Sequence, residues 1–182
     1  NLERYLKTYP RDADIIYAHY LIAMCYYESI IDEKRDYGSI IKAKKKFDYI
    51  VEKYPSSQFA IDANFKLDLI QDILASKEMY IGRYYFNKKK WIPAINRFKV
   101  VIEDFQTTIF VEEALHRLVE IHYIIGLKDE AKKYANLLGY NYRSSKWYER
   151  SYGVFNKMYE KKRIKDEKNN KSILRKAKSL FE

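Results

Sequence analysis

Three histidines, His19, His116 and His122, and one cysteine, Cys25, are the side chains with which this 182-residue chain could most readily do chemistry. Glu112, His116 and Glu120 follow one another at four-residue steps, which on a helix stacks all three on one face and makes a divalent-metal site geometrically conceivable. That spacing recurs by chance, and no second histidine stands at the metalloprotease interval. A nucleophile would need Cys25 or a serine beside a base. The chain has no Gly-x-Ser-x-Gly elbow and no glycine-rich phosphate loop. Cys25 lies in the apolar run Ala23-Met24-Cys25-Tyr26-Tyr27, where it reads as a small buried hydrophobe. No catalytic residue, no metal and no cofactor is expected.

Helices must position whatever these residues do. Five Gly and three Pro are too few for the frequent turns of an all-β architecture. Leu115, Leu118, Val119, His122 and Ile125 recur at three- and four-residue steps, the period of a helix stripe covered by a neighbour. Longer-range order is visible too. Ala43, Phe47, Ile50 and Pro55 recur as Ala94, Phe98, Val101 and Gln106, with Gly82 and Tyr85 in the helix before the second copy. These are the offsets of a tetratricopeptide repeat. Leu2, Tyr5 and Pro10 fit a truncated third copy, so the chain reads as starting inside a repeat whose first helix is missing. The expected fold is all-α, a tetratricopeptide-repeat solenoid of stacked antiparallel hairpins over residues 1–139, followed by a basic helical extension over residues 140–182.

Along the chain, Asp12 or Asp14 is placed to cap a helix running from Ile15 through Tyr17, Ala18, Tyr20 and Leu21 to Tyr27. Residues 32–39 read as an enlarged turn, with Ser39 capping the next helix, which ends at Tyr54-Pro55. From Phe59 to Lys88 the pattern is helical, with Ala60, Ala63, Leu67, Ile70 and Leu74 on one stripe. This needs an extra helix or an unusually long one. Lys88-Lys89-Lys90 is a turn, and Pro93 falls in the first turn of the next helix. A further hairpin turns at Gly126, with Asp129 as the following cap. Gly139-Tyr140-Asn141-Tyr142 ends the repeats, and Ser144-Ser145 opens a helix carrying Trp147, Tyr148, Tyr152 and Phe155. Ile173, Leu174, Ala177, Leu180 and Phe181 form a last amphipathic stripe, a candidate capping or partner-docking helix. Tyr5, Tyr17, Tyr85 and Tyr134 fall at packing positions, which favours core over base stacking.

Charge is unevenly placed. Residues 140–182 carry 13 Lys/Arg against 5 Asp/Glu, a balance of +8, whereas residues 1–139 carry only +2 of the total of +10. A basic segment can serve nucleic acid, anionic lipid or an acidic protein surface. It can equally be solvated surface in a chain rich in Lys, Tyr, Ile and Asn. No run approaches a membrane span, and no secretory signal is read at Asn1. Physical reading therefore reaches a helical scaffold that binds an extended ligand or docks a partner domain.

A resemblance extends this. Phe47-x6-Tyr54-Pro55-Ser56-Ser57-Gln58, then Ala63, Tyr84-Tyr85 and Trp91-x2-Ala94-x2-Arg97, resemble the BamD family, tetratricopeptide lipoproteins of the β-barrel assembly machinery of Gram-negative outer membranes. Leu138-Gly139-Tyr140-Asn141-Tyr142-Arg143-Ser144-Ser145-Lys146-Trp147-Tyr148 resembles the post-repeat segment of α-proteobacterial members. The resemblance implies a non-catalytic scaffold of five repeats at the periplasmic face of the outer membrane, held by a lipidated N-terminal cysteine. Its implied partners are the periplasmic domain of the barrel-forming subunit, accessory lipoproteins and, for the full-length protein, unfolded outer membrane proteins. Nucleic acid is disfavoured. The chain departs from that pattern by lacking the lipobox cysteine and the first repeat and a half, and its basic segment after Phe155 has no assigned counterpart. The part present corresponds to the docking half. Arg97, Arg83, Lys99 and Arg117 are the expected partner-binding residues, offering charge-assisted hydrogen bonds to acidic groups. The alternative is a basic helical-repeat adaptor binding nucleic acid, anionic lipid or an unrelated cytoplasmic protein.

Overall fold

The computed structural model describes residues 1–30 and 37–156, and every element among them is a helix, as the apolar period requires. Among the described residues there are eight helices and no strand: α1 (Leu2–Thr8), α2 (Ile15–Glu28), α3 (Tyr37–Lys53), α4 (Gln58–Asn87), α5 (Trp91–Asp104), α6 (Val111–Ile124), α7 (Lys128–Asn141) and α8 (Lys146–Phe155). The fold is the expected all-α, tetratricopeptide-like arrangement. Two compact units divide the chain, Asn1–Tyr80 and Ile81–Glu182, and α4 belongs partly to each.

In the first unit α1 packs on α2 and α2 on α3. The repeat positions Ala43, Phe47 and Ile50 are fully buried. Phe47 receives the ring edges of Tyr20 and Tyr27, both at 6.2 Å between centroids. The α4 stripe of Ala60, Ala63, Leu67, Ile70 and Leu74 is buried as the spacing predicts. Tyr20 ties α2 to α4 by donating its hydroxyl hydrogen to Asp62 Oδ2 at 2.5 Å. Burial, that hydrogen bond and the Asp62 charge push the phenol up to about 12.

Several local expectations are corrected here. Tyr37, Gly38 and Ser39 are helical, so Ser39 does not cap α3; the remainder of the expected turn, residues 32–36, lies outside the described residues. Asp14 occupies the N-cap position of α2 without a side-chain bond, while Asp12 Oδ1 accepts from the Asp14 N–H at 3.0 Å, an Asx turn that competes with capping. Cys25 is exposed, not buried. Tyr17 is also exposed, lying against Phe59 at its rim with the centroids 5.7 Å apart.

In the second unit α6 is central, packing on α5, α7 and α8, and α8 also meets α7. Ala94, Phe98 and Val101 are fully buried, reproducing the burial of Ala43, Phe47 and Ile50. Gly82 explains itself by close approach: a Cβ built there would lie 2.6 Å from Phe98 Cε1. The long apolar run after Pro55 resolves as one 30-residue helix without an inserted element.

Helices α4 and α6 stop in the same way. Lys90 N–H donates to Tyr85 O and Lys89 N–H to Phe86 O; Leu127 N–H donates to His122 O and Gly126 N–H to Tyr123 O. Both are Schellman closures, with Lys89 (φ 56°) and Gly126 (φ 87°) in the left-handed position. The N-cap of α7 is Leu127, and Asp129 sits one residue inside the first turn, favourable to the dipole but not a cap. Ile125 stands at the C-cap of α6, where it leaves the buried stripe and is exposed. Helix α7 continues through Gly139 and Tyr140 to Asn141. Helix α8 starts after Ser144-Ser145, and Ser145 caps it, its Oγ accepting from Trp147 N–H at 3.1 Å. The amphipathic stripe at residues 173–181 and the basic segment from residue 157 lie outside the described residues.

Candidate partner-docking surface

The cations expected to meet a partner are distributed over three helices of the second unit. Arg83 is on the last turns of α4, Arg97 and Lys99 are on α5, and Arg117 is on α6. Arg83 and Arg117 converge on one carboxylate. Arg83 Nε and Nη2 donate to Glu113 Oε1 and Oε2 at 2.8 and 2.5 Å, a two-pronged pair. Arg117 Nε stands 3.5 Å from Glu113 Oε1, an ion-pair contact without a hydrogen bond, while its Nη1 donates to Glu120 Oε2 at 2.7 Å. The Arg117 guanidinium also lies over the rings of Phe86 and Trp147, at 5.1 and 5.8 Å.

Burial opposes charging of Glu113 and Glu120, yet both are held below the ordinary carboxylate range. For Glu113 the opposing force is Arg83, aided by Arg117; for Glu120 it is His116 and then Arg117. Arg83 is raised in turn, chiefly by its hydrogen bond to Glu113. Arg83 and Arg117 thus reach solvent only partly, with side chains 40% and 24% exposed.

Arg97 and Lys99 do not join this group. Two residues apart on α5, they point about 200° from one another around the helix. Arg97 lines a shallow groove with Tyr85, Ile92, Pro93, Asn96 and Val100, in which one cation sits on an apolar floor. Lys99 is half-buried on another side of α5. Sequence reasoning missed Glu113. The four-residue step from Glu113 to Arg117 was a usable signal, but the pairing with Arg83 was not, because 30 residues separate them.

The Glu112, His116 and Glu120 face is partitioned among other partners. Glu112 accepts from Ser145 Oγ. His116 Nδ1 is hydrogen-bonded to Ser151 Oγ at 2.9 Å, and its Nε2 lies 3.5 Å from Glu120. Ser151, His116 and Glu120 therefore line up as a serine, an imidazole and a carboxylate, the order of a hydrolytic triad. Ser151 is fully buried and His116 nearly so, which leaves no path for a scissile bond to reach Oγ. The line of contacts joins α8 to α6. Its neighbours are the core residues Val111, Leu115 and Leu138, against which Trp147 and Tyr148 pack.

A family model described as YfiO, outer membrane lipoprotein, matches residues 1–137. The chain belongs to this family. Family members named outer membrane protein assembly factor BamD align over most of its length. That of Rickettsia prowazekii is 47% identical over 151 residues, covering 83% of this chain and 60% of the relative. That of Caulobacter vibrioides is 43% identical over 154 residues, covering 85% and 50%. That of Neisseria gonorrhoeae is 30% identical over 132 residues, covering 67% and 49%. The chain thus spans about half to three-fifths of the BamD relatives it matches. The two higher identities place it with α-proteobacterial BamD, as the Trp147-Tyr148 segment indicates. Among the described residues no helix is long and apolar enough to cross a membrane.

Proposed function

We propose that this chain is the docking portion of a non-catalytic assembly factor that helps insert β-barrel proteins at the outer membrane. The reading is supported above all by 47% identity over 151 residues to a protein named as such a factor. Within that stretch the repeat positions Ala43, Phe47, Ile50, Ala94, Phe98 and Val101 are all fully buried. The family description supports attachment to the outer membrane, and we place the chain on its periplasmic face, lipid-anchored in the full-length protein. Its partners in this reading are the periplasmic domain of the barrel-forming subunit, accessory lipoproteins and, in the full-length protein, unfolded outer membrane proteins.

The four cations then act in two ways. Arg97 presents its charge beside the apolar groove of Tyr85, Ile92 and Pro93, a setting for an acidic residue flanked by an apolar one. Lys99 adds charge from another side of α5. Arg83 and Arg117 use donors on Glu113 and Glu120 and offer the partner their remaining N–H groups from a fixed position. The test is capture of the purified periplasmic domains of the barrel subunit by the 182-residue chain. Capture that falls at least tenfold with Arg97→Glu supports the reading. No capture at low salt, or capture indifferent to Arg97→Glu, Arg83→Glu, Lys99→Glu and Arg117→Glu alike, overturns the assigned surface.

A further inference from the structure

Arg143, Lys146 and Arg150 have no role in the docking reading, and two of them flank the Trp147 ring. Lys146 and Arg150, four residues apart, share one side of α8, and Arg143 lies in the turn just before it. Trp147 borders that side. Its ring centroid is 4.6 Å from Arg150 Cζ and 5.6 Å from Lys146 Nζ. The indole is fixed from behind by packing on Val111, Leu115 and Leu138, so it holds the Arg150 guanidinium in place as a platform.

The contrast with neighbouring cations is chemical. Arg83, Arg117, Lys132 and Lys133 each stand against a carboxylate. Among the described residues Arg143, Lys146 and Arg150 stand against none, and Glu149, the one acid of α8, neutralises none of them. The sequence continues the same sign: residues 157–182 add ten Lys/Arg against four Asp/Glu.

We propose that the Arg143, Lys146 and Arg150 face binds the anionic headgroups of a lipid bilayer. The proposal rests on the outer-membrane reading above, which places the chain beside such a surface. Arg143 and Lys146 are exposed, and Arg150 is held half-buried against the Trp147 ring. A bilayer needs no shape match. It rewards each added cation near its surface, and guanidinium forks suit phosphate oxygens.

The test is sedimentation of the 182-residue chain with vesicles of equal parts phosphatidylglycerol and phosphatidylcholine, and with vesicles of phosphatidylcholine alone. Binding confined to the anionic vesicles, weakened by salt, and reduced on the order of 100-fold in Arg143→Gln/Lys146→Gln/Arg150→Gln is the expected result. The double variant Arg143→Gln/Lys146→Gln leaves the Trp147 stack intact and should lose on the order of 10-fold or more. Arg143→Lys/Arg150→Lys keeps the charge and should keep binding. Equal binding to neutral vesicles, undiminished binding by the triple variant, or retention of only RNA or an acidic protein would overturn the proposal. Capture of the barrel subunit by the same variants should be unchanged. Failure of capture by the parent chain refutes the docking reading and leaves the vesicle result to decide this one.

Discussion

Arg83 and Glu113 close a two-pronged ion pair between α4 and α6 across 30 residues of sequence, at 2.8 and 2.5 Å. Glu113 is nearly buried whereas Arg83 keeps 40% of its side chain in solvent, so the loss falls unequally on the two partners. Glu113→Gln should destabilise the fold by about 2 kcal/mol at pH 7, because it leaves two guanidinium groups facing a neutral amide; Arg83→Gln should cost more than an exposed pair does, about 1 kcal/mol. Urea denaturation of both variants measures this, and a loss below the error of extrapolation for Glu113→Gln would contradict it.

The same pair sets an acid limit. Glu113 and Glu120 titrate lower in the folded chain than their ordinary value of 4.5. Their stabilisation is therefore complete above that value and is lost as pH falls through the folded values, because the unfolded chain takes up protons first. Stability followed downward in pH should fall more steeply below about pH 4.5, and Glu113→Gln should make that steeper part shallower.

Tyr20 imposes the opposite limit. Its phenol is pushed up to about 12, so between about pH 10 and 12 the unfolded chain loses a proton that the folded chain keeps, and stability declines as pH rises. Tyr20→Phe should flatten that decline. At pH 7 it should cost about 1 kcal/mol, the net value of the hydrogen bond to Asp62. An unchanged alkaline slope in Tyr20→Phe would assign the decline to other groups.

Two matched helix ends give changes of opposite sign. Gly126→Ala forces a Cβ into the left-handed region and should cost about 1 kcal/mol, whereas Lys89→Gly relieves the same strain at the end of α4 and should stabilise by about 0.5–1 kcal/mol. Thermal unfolding distinguishes them by direction, and a destabilised Lys89→Gly would show that the lysine is not strained.

Gly82 and Gly139 separate core from surface. An added Cβ meets Phe98 at 2.6 Å in one case and Tyr148 at 2.6 Å in the other. Phe98 is fully buried and cannot yield, so Gly82→Ala should cost about 1–3 kcal/mol despite the better helix propensity of alanine. Tyr148 is half-buried and can swing outward, so Gly139→Ala should cost less. Equal losses would mean that the Tyr148 ring is as confined as Phe98.

Residue type and local spacing determined the helices, the repeat register and the family. Each of these depends on offsets of three, four or seven residues, and a helix converts such offsets directly into a face. Ala43, Phe47 and Ile50 are buried because they share one stripe, and the same holds for Ala94, Phe98 and Val101. Tertiary structure alone decided which charges meet Glu113. Arg83, Arg97, Lys99 and Arg117 look alike in sequence, yet Arg83 and Arg117 meet Glu113 while Arg97 lines a groove and Lys99 points elsewhere. It likewise exposed Cys25 and joined His116 to Ser151 across 35 residues. Periodicity states which face a residue occupies; which side chain waits on the opposite face is set by how the hairpins stack.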